Sequence, residues 1–417
     1  MSERFVIRGG RPLKGEVVVS GSKNAALYTL AAGLMSADPV TIRNVPEIAD
    51  IGEMADVCRA LGAEVEVDGT TVYMQAREFT ATAPPTELVL ALRASFLVMG
   101  PVLARAGEAG CASPGGDVIG VRPLDVHLAG FRALGAEVER VGAEWVARAS
   151  KLTGARIFLD YPSVLGTVNV MFAAALAEGT TTIVNAAAEP EVEMAASMLN
   201  SMGAQISGHG TGIMTIEGVD RMHGTDFEVI ADRIEAGTYL LAGVATGGDL
   251  QVTNADPAAL DSLLAKFREL DAEVVVGDGP GVRVSCPRPL QPIQVQAVPY
   301  PGFPTDLHAP MAAALTQVPG VSTIHERVFD NRTLYVGELR NLGAKIITGG
   351  QTVIVEGGSP LSGAVVRALD IRAGAAVVIA GLAAGGETSV SGIEHLDRGY
   401  AHLAERLCAV GADVARA

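Results

Sequence analysis

Cysteine is scarce and scattered. The four residues, Cys58, Cys111, Cys286 and Cys408, form no CxxC pair and no metal-ligand spacing, which argues for a reducing cytoplasm. Basic charge is also in deficit. Lys and Arg number 31 against 47 Asp and Glu, a formal net charge of −16, which argues against nucleic acid and anionic membrane surfaces as partners. An anionic substrate would then need a local arginine cluster to overcome the global field. No apolar run reaches the ~18 residues of a spanning helix. The opening MSERFVIRGG lacks a signal-peptide pattern. A soluble, cytoplasmic protein is expected.

What the chain does have is apolar residues, at 49%, and 49 glycines, the profile of a globular protein with tight turns and close helix packing. At 417 residues it is too long for one core, and two domains are expected. A short phrase recurs six times: CRALGAEVEV at Cys58, FRALGAEVER at Phe131, LNSMGAQISG at Leu199, FRELDAEVVV at Phe267, LRNLGAKIIT at Leu339 and LCAVGADVAR at Leu407. Aligned on Gly62, Gly135, Gly203, Asp271, Gly343 and Gly411, the intervals are 73, 68, 68, 72 and 68 residues. Each copy reads as an amphipathic helix ending in a glycine cap, then two short strands, then a further strand entering an Ala-rich helix. Those helices, from Ala25, Ala94, Val168, Ala236, Ala309 and Gly374, are apolar nearly all round and should lie inside each domain.

The sixth copy stops at Ala417 without its second strand. RFVIRGGRPLKGEVVV near the N-terminus parallels TVIVEGGSPLSGAVV at Thr352, so the first ~20 residues should complete the sixth copy. The spacing predicts two pseudo-threefold domains: residues 21–230, and residues 231–417 with 1–20.

The entrances to the six inner helices carry Lys23-Asn24, Arg93, Ser163, Asp232-Arg233, Asp306 and Arg372. A helix N-terminus offers unpaired N–H groups and favours anions, so basic residues there serve a ligand better than the helix. Arg233 is the exception, expected to pair with Glu235 or Asp232. Loops before the outer helices form a second set. Asp50, Glu191 and Asp261 read as helix caps. Arg122, Arg332 and Arg398 have no such structural use, and arginine suits planar oxyanions gripped bidentately. The loop Pro114–Pro123, PGGDVIGVRP, is the most glycine-rich of these and lies in the longest interval, where a lid would be built.

GSKNAAL at Gly21, LRASFLVMGP at Leu92, PGGDVIGVRPLDVH at Pro114, AEPEVE at Ala188, DRIEAGTYL at Asp232, PGFPTDLHAP at Pro301, FDNRTLYV at Phe329, DIRAGAAVVIAG at Asp370 and DRGY at Asp397 follow in order along the chain. This set resembles the enolpyruvyl transferases, and among them the branch of peptidoglycan synthesis whose acceptor is UDP-N-acetylglucosamine. The resemblance implies an α/β fold: a two-domain inside-out α/β barrel, each domain three βαβαββ-like repeats. It implies attack of the sugar 3-hydroxyl on C2 of phosphoenolpyruvate while C3 is protonated, then loss of phosphate from a tetrahedral ketal. It implies no metal or organic cofactor. Carried over by position, Lys23, Arg122 and Arg398 would hold the phosphate. Arg332 and Arg372, with Arg398, would hold the carboxylate end. Asn24, Arg93 and Asp306 would face the nucleotide sugar and the reacting hydroxyl, with Asp306 as base. Arg122, Pro123, Leu124, Asp125 and Val126, then Tyr161, Pro162, Ser163, Val164 and Leu165, and Val328, would line the nucleotide site.

Two positions depart from the family pattern. Most members carry Cys where this chain has Asp117, which is expected to take the acid role. A free Asp titrates near ~3.9, so its surroundings would have to raise it. Fosfomycin inactivates the Cys-type enzymes by alkylating the thiolate; a carboxylate is a poorer target, and resistance is expected. Cys111, six residues upstream, reads as a small core residue. In SVLGTVN, Leu165 replaces a usual glycine. This leaves open a paralogous transferase with another nucleoside or sugar acceptor, and, from another class, a non-catalytic nucleotide-sugar-binding protein. A monomer is favoured.

Overall fold

The computed structural model describes residues 3–116, 119–120, 122–277, 279–286 and 289–417. They form two compact units. One comprises residues 3–20, 119–120 and 231–417; the other comprises Gly21–Gly116 and 122–230. Each is a three-part α/β body, and together they carry six small sheets.

The six aligned positions share one backbone conformation. Gly62, Gly135, Gly203, Gly343 and Gly411 have φ between +91° and +104°, and Asp271 has φ +62°. Each follows an outer helix, such as Ala49–Ala60 or Leu403–Ala409. A left-handed residue there turns the chain back into an antiparallel strand pair. Inside the unit of residues 231–417, the helices Arg233–Thr246, His308–Leu315 and Ile371–Ala383 are buried almost throughout and pack on one another. In the other unit, Lys23–Gly33, Met99–Ala106 and Val164–Ala175 take that place. Alanine and glycine on every face let these helices approach closely, while each sheet buries one face on them.

In the third, fifth and sixth repeats the strand before the inner helix pairs in parallel with the strand after it: Arg156–Phe158 with Thr180–Val184, Gln294–Ala297 with Gly320–Glu326, and Val365–Arg367 with Glu387–Ser391. The first and fourth repeats exchange these strands. Asp226–Glu228 pairs with Val40–Arg43, and Lys14–Val18 pairs with Asp249–Thr253. The chain changes unit at Ser20–Gly21 and Ile230–Ala231, so each empty edge is filled by the segment at the other end of its unit. The strand Arg4–Arg8 lies between Glu387–Ser391 and Asp413–Arg416, antiparallel to both.

The second repeat differs from the expected pattern. Its sheet has three strands, and the segment expected as a strand contains the helix Thr86–Ala91. Pro85 at its N-cap, Glu87 in its first turn and Leu88, Leu90 and Ala91 all favour a helix. The inner helix is also split, with a 3₁₀ turn at Arg93–Val98 before Met99–Ala106. Pro101 is tolerated because the first turn of a helix has free N–H groups.

A signal missed in the sequence lies at the strand ends. Asn44, Asn185 and Asn254 have φ of 56°, 61° and 55°. Each closes its repeat by donating Nδ2–H to an edge-strand carbonyl: Val229, Leu159 and Val19 at 2.8–2.9 Å. Gly392, φ +74°, takes this place in the sixth repeat. In the second and fifth repeats the residue is Ser113 or Arg327, and the chain runs into the loops PGGDVIGVRP and VFDNR. The second and fifth copies, whose residue here is not left-handed, carry the candidate site loops.

Candidate active site

In the unit of residues 231–417, three expected residues converge. Asp306 sits in the 3₁₀ turn Thr305–Leu307 at the entrance to His308–Leu315. Arg332 follows the strand Gly320–Glu326. Arg372 occupies the first turn of Ile371–Ala383, whose N-cap Asp370 accepts from the N–H groups of Arg372 and Ala373. Arg332 Nη2 lies 2.7 Å from Asp306 Oδ1, and Arg372 Nη2 and Nε lie 3.0 and 3.1 Å from Oδ2. Arg332 packs over Phe329 and Arg372 over Tyr400, at 5.2 and 5.3 Å, and Tyr400 Oη is 3.1 Å from Thr238 Oγ1. Both guanidiniums are buried, while the Asp306 side chain keeps 25% exposure.

A carboxylate therefore already lies between the two arginines expected to hold one. Burial pushes the Asp306 pKa up, but Arg332 and Arg372 outweigh it and hold the carboxyl well below its ordinary range. So held, Asp306 is a weak base. Among the described residues Arg372 Nη1 is buried with no hydrogen-bond partner, a donor left for an anion. A small pocket opens here, lined by Asn331, Arg332, Tyr335, Asp370 and Arg372 among others. Arg398, at the C-cap of Glu394–Asp397, is half-buried. Val328 is exposed, and its N–H donates to Glu326.

In the unit of residues 21–230, Lys23 opens the helix Lys23–Gly33 behind its Ser22 cap. It is buried, with Nζ 2.7 Å from Asp50 Oδ2. Asp50 is thus the partner of Lys23 rather than a cap. Ile48 holds the N-cap position, and Asp50, like Glu191 and Asp261, lies in a first turn. Asn24 beside Lys23 is half-buried.

Arg93 starts the 3₁₀ turn and donates from Nη2 to the Arg122 carbonyl and from Nη1 to the Pro114 carbonyl at 3.4 Å. It braces both ends of the glycine-rich loop. Burial, then Arg122, pulls its pKa down to about 10. Asn169 ties this region together. Its Nδ2 donates to the Phe96 carbonyl at 2.9 Å and to His127 Nδ1 at 3.0 Å. His127 accepts because burial, then Arg93, pushes its pKa down to about 3. Asp125 and Val126 begin the helix Asp125–Ala133, with Leu124 at its N-cap and Pro123 exposed before it. The exposed Tyr161 senses Asp125 and Arg93, its pKa raised by burial and then by Asp125. Ser163 caps Val164–Ala175 by accepting from Gly166 N–H at 3.2 Å. Pro162, Val164 and Leu165 are half-buried. The glycine beside Leu165 has a packing reason, since a Cβ on Gly166 would come within 2.6 Å of Val126 Cγ1.

Asp117 lies outside the described residues. Cys111 is fully buried, its thiol pushed up by burial and then by Glu144. Of the two acids expected to pair with Arg233, Glu235 binds Arg406 at 2.7 Å, and the Arg233 guanidinium lies over the Tyr300 ring. Asp232 caps its helix by accepting from Ile234 and Glu235 N–H. Two neighbours of the site escaped the sequence reading, Thr305 and Glu326. Their signal was present: the strand GVSTIHE alternates, and Glu326 falls on its buried phase with Ser322 and Ile324.

The family profile described as EPSP synthase (3-phosphoshikimate 1-carboxyvinyltransferase) matches residues 7–407. The chain is 48% identical over 415 residues to the UDP-N-acetylglucosamine 1-carboxyvinyltransferase 2 of Carboxydothermus hydrogenoformans, covering 99% of each chain. It is 44% identical over 417 residues to the UDP-N-acetylglucosamine 1-carboxyvinyltransferase 1 of Caldanaerobacter subterraneus, covering 100% of each. Its fold is similar to that of the enolpyruvyl transferase NikO from Streptomyces tendae, at TM-score 0.89 and 26% identity over 100% of this chain and 99% of that one. It is also similar to EPSP synthase from Acinetobacter baumannii, at TM-score 0.76 and 16% identity over 100% of each chain. On the profile match and the full-length relatives, the chain belongs to the EPSP synthase (3-phosphoshikimate 1-carboxyvinyltransferase) family, the enolpyruvyl transferases.

Proposed function

We propose that this protein transfers the enolpyruvyl group of phosphoenolpyruvate to the 3-hydroxyl of UDP-N-acetylglucosamine, releasing phosphate, in peptidoglycan synthesis. The observation that carries the reading is the Asp306 carboxylate held between Arg332 and Arg372. Two buried guanidiniums and an acid meet there, as a reaction between a carboxylated substrate and a hydroxyl requires. The relatives at 44% and 48% identity bear the corresponding name.

In this reading Arg332 and Arg372 take the carboxylate of phosphoenolpyruvate, with Arg398. Lys23, Arg122 and Arg398 take its phosphate end, with Asn24 facing both phosphoenolpyruvate and the nucleotide sugar. The substrate carboxylate competes with Asp306 for the guanidiniums. Loosening that grip raises the Asp306 pKa toward its ordinary value and arms it as a base. The sugar hydroxyl then gives its proton to Asp306 as its oxygen bonds to C2. Asp117 delivers a proton to C3. The ketal then returns a C3 proton to the Asp117 carboxylate as the C2–O bond to phosphate breaks, leaving the enolpyruvyl ether. Arg93, Arg122–Val126, Tyr161–Val164 and Val328 hold the nucleotide sugar. Residues 231–417 with 1–20 form the catalytic domain; residues 21–230 carry the active-site loop, about 111–123. None of the described helices is long and apolar enough to cross a membrane; a cytoplasmic location and a monomeric state are part of the proposal.

A phosphate-release assay with phosphoenolpyruvate and a panel of acceptors tests the reading. Release is expected with UDP-N-acetylglucosamine; release only with another nucleoside or sugar would assign the chain to a paralogous activity. Calorimetry that found sugar-nucleotide binding without turnover would make it a binding protein. In the same assay Asp117→Ala is expected to lose turnover and Asp117→Cys to keep it. The wild type should resist fosfomycin, and the Cys variant should gain sensitivity. Full activity of Asp117→Ala removes that residue from the mechanism.

A further inference from the structure

Arg332 is held by more than Asp306. Its Nη1 donates to Thr305 Oγ1 at 2.8 Å, and Thr305 Oγ1 lies 2.6 Å from Glu326 Oε2. An ionised carboxylate only accepts, so the single hydroxyl proton is committed to Glu326 and the oxygen lone pair to Arg332. The contact has one direction, and it fixes one edge of the guanidinium. Glu326 is fully buried, and among the described residues it has no ion pair. Its other oxygen accepts from the N–H groups of Val328 and Phe329 at 2.7 and 3.2 Å.

A carboxylate is costly to bury, and a core position would take an apolar residue more cheaply. This one organises what lies around Arg332. It pins the backbone that begins the loop carrying Arg332. It places Phe329, whose ring supports the Arg332 guanidinium. Further along the loop, Asn331 N–H donates to the Ile119 carbonyl at 3.3 Å. Gly120 has φ +122°, a conformation that favours glycine where the two loops approach.

We infer that Thr305 and Glu326 are positioning residues for Arg332, a directional relay that orients its guanidinium toward the substrate carboxylate. This rests on the reading that Arg332 holds that carboxylate. The mechanism is pre-organisation: a guanidinium fixed before the anion arrives loses less freedom on binding it.

Steady-state kinetics with both substrates test the relay. Thr305→Val keeps the side-chain shape and removes the hydroxyl, while Thr305→Ser keeps the hydroxyl. Glu326→Gln keeps the size but sets an NH₂ against groups that need an acceptor. Thr305→Val is expected to raise KM for phosphoenolpyruvate about ten- to a hundredfold, the range for losing a hydrogen bond to a charged group. KM for UDP-N-acetylglucosamine should stay near the wild-type value. Thr305→Ser should restore both, and Glu326→Gln should shift the same constant as Thr305→Val. The two breaks are independent, so if one variant misfolds the other decides. Wild-type kinetics in the folded variants, equal damage from Ser and Val, or a parallel rise in both KM values overturns the relay. Arg332→Ala separates it from the underlying reading. If that variant leaves KM for phosphoenolpyruvate unchanged, the assignment of Arg332 falls and the relay falls with it. If it raises KM while Thr305→Val does not, only the relay falls.

Discussion

On the proposed reading Asp306 stands where the substrate carboxylate would bind, which links its charge state to the state of the anion site. Its folded pKa lies below the ordinary 3.8. The ion pairs therefore contribute stability that is fully present above about pH 4 and is lost as pH falls through the folded value. Asp306→Asn removes that contribution and leaves two buried guanidiniums facing each other. With a quarter of the side chain exposed, a cost of about 1–3 kcal/mol near neutral pH is expected. Urea unfolding at a series of pH values from 7 down to 2 checks this: the gap between wild type and variant should hold down to about pH 4 and narrow progressively below it. Parallel profiles would mean that the clamp carries no linkage. Lys23 and Asp50 form a similar buried pair, which on the proposed reading an arriving phosphate would share.

At the scale of elements, one left-handed residue after each outer helix sets the return of the chain. Five of these residues are glycine, and the fourth repeat uses Asp271 at φ +62°. A non-glycine residue there carries strain of roughly 1 kcal/mol, reduced for Asp, against a smaller loss of chain entropy on folding. Asp271→Gly should stabilise the protein by up to about 1 kcal/mol, read as a shift in denaturation midpoint; destabilisation would show that the carboxylate has a compensating role. These positions were legible because helix period, cap and alternating strand all lie within about twenty residues of one another. The helix Thr86–Ala91 was not legible, since the short apolar run Leu88–Ala91 fits a buried strand as well as a helix.

Across the molecule, the strand Arg4–Arg8 sits between two strands that close the chain at its other end, with backbone bonds Arg4 N to Ala417 O at 3.0 Å and Ala417 N to Arg4 O at 2.9 Å. Deleting residues 1–10 would leave Glu387–Ser391 and Asp413–Arg416 as unpaired edges over an exposed core face. Limited proteolysis should then cut within the last thirty or so residues, where backbone protection is lost; unchanged resistance would show that the sheet holds without its central strand.

The sequence alone determined the six-part organisation, the capping positions, the buried alanine-rich helices and the residue types at their entrances. Each of these depends on neighbours close in the chain, and repetition multiplied the signal. Only the tertiary structure decided which residues meet. Asp306 and its two arginines are 26 and 66 positions apart, and Lys14–Val18 pairs with a strand more than two hundred residues away. Local sequence offers several acids to each arginine, and it leaves open which of them is near. Glu326 shows the same division: its burial could be read from the alternation of its strand, while its link through Thr305 to Arg332 required two segments to fold against each other.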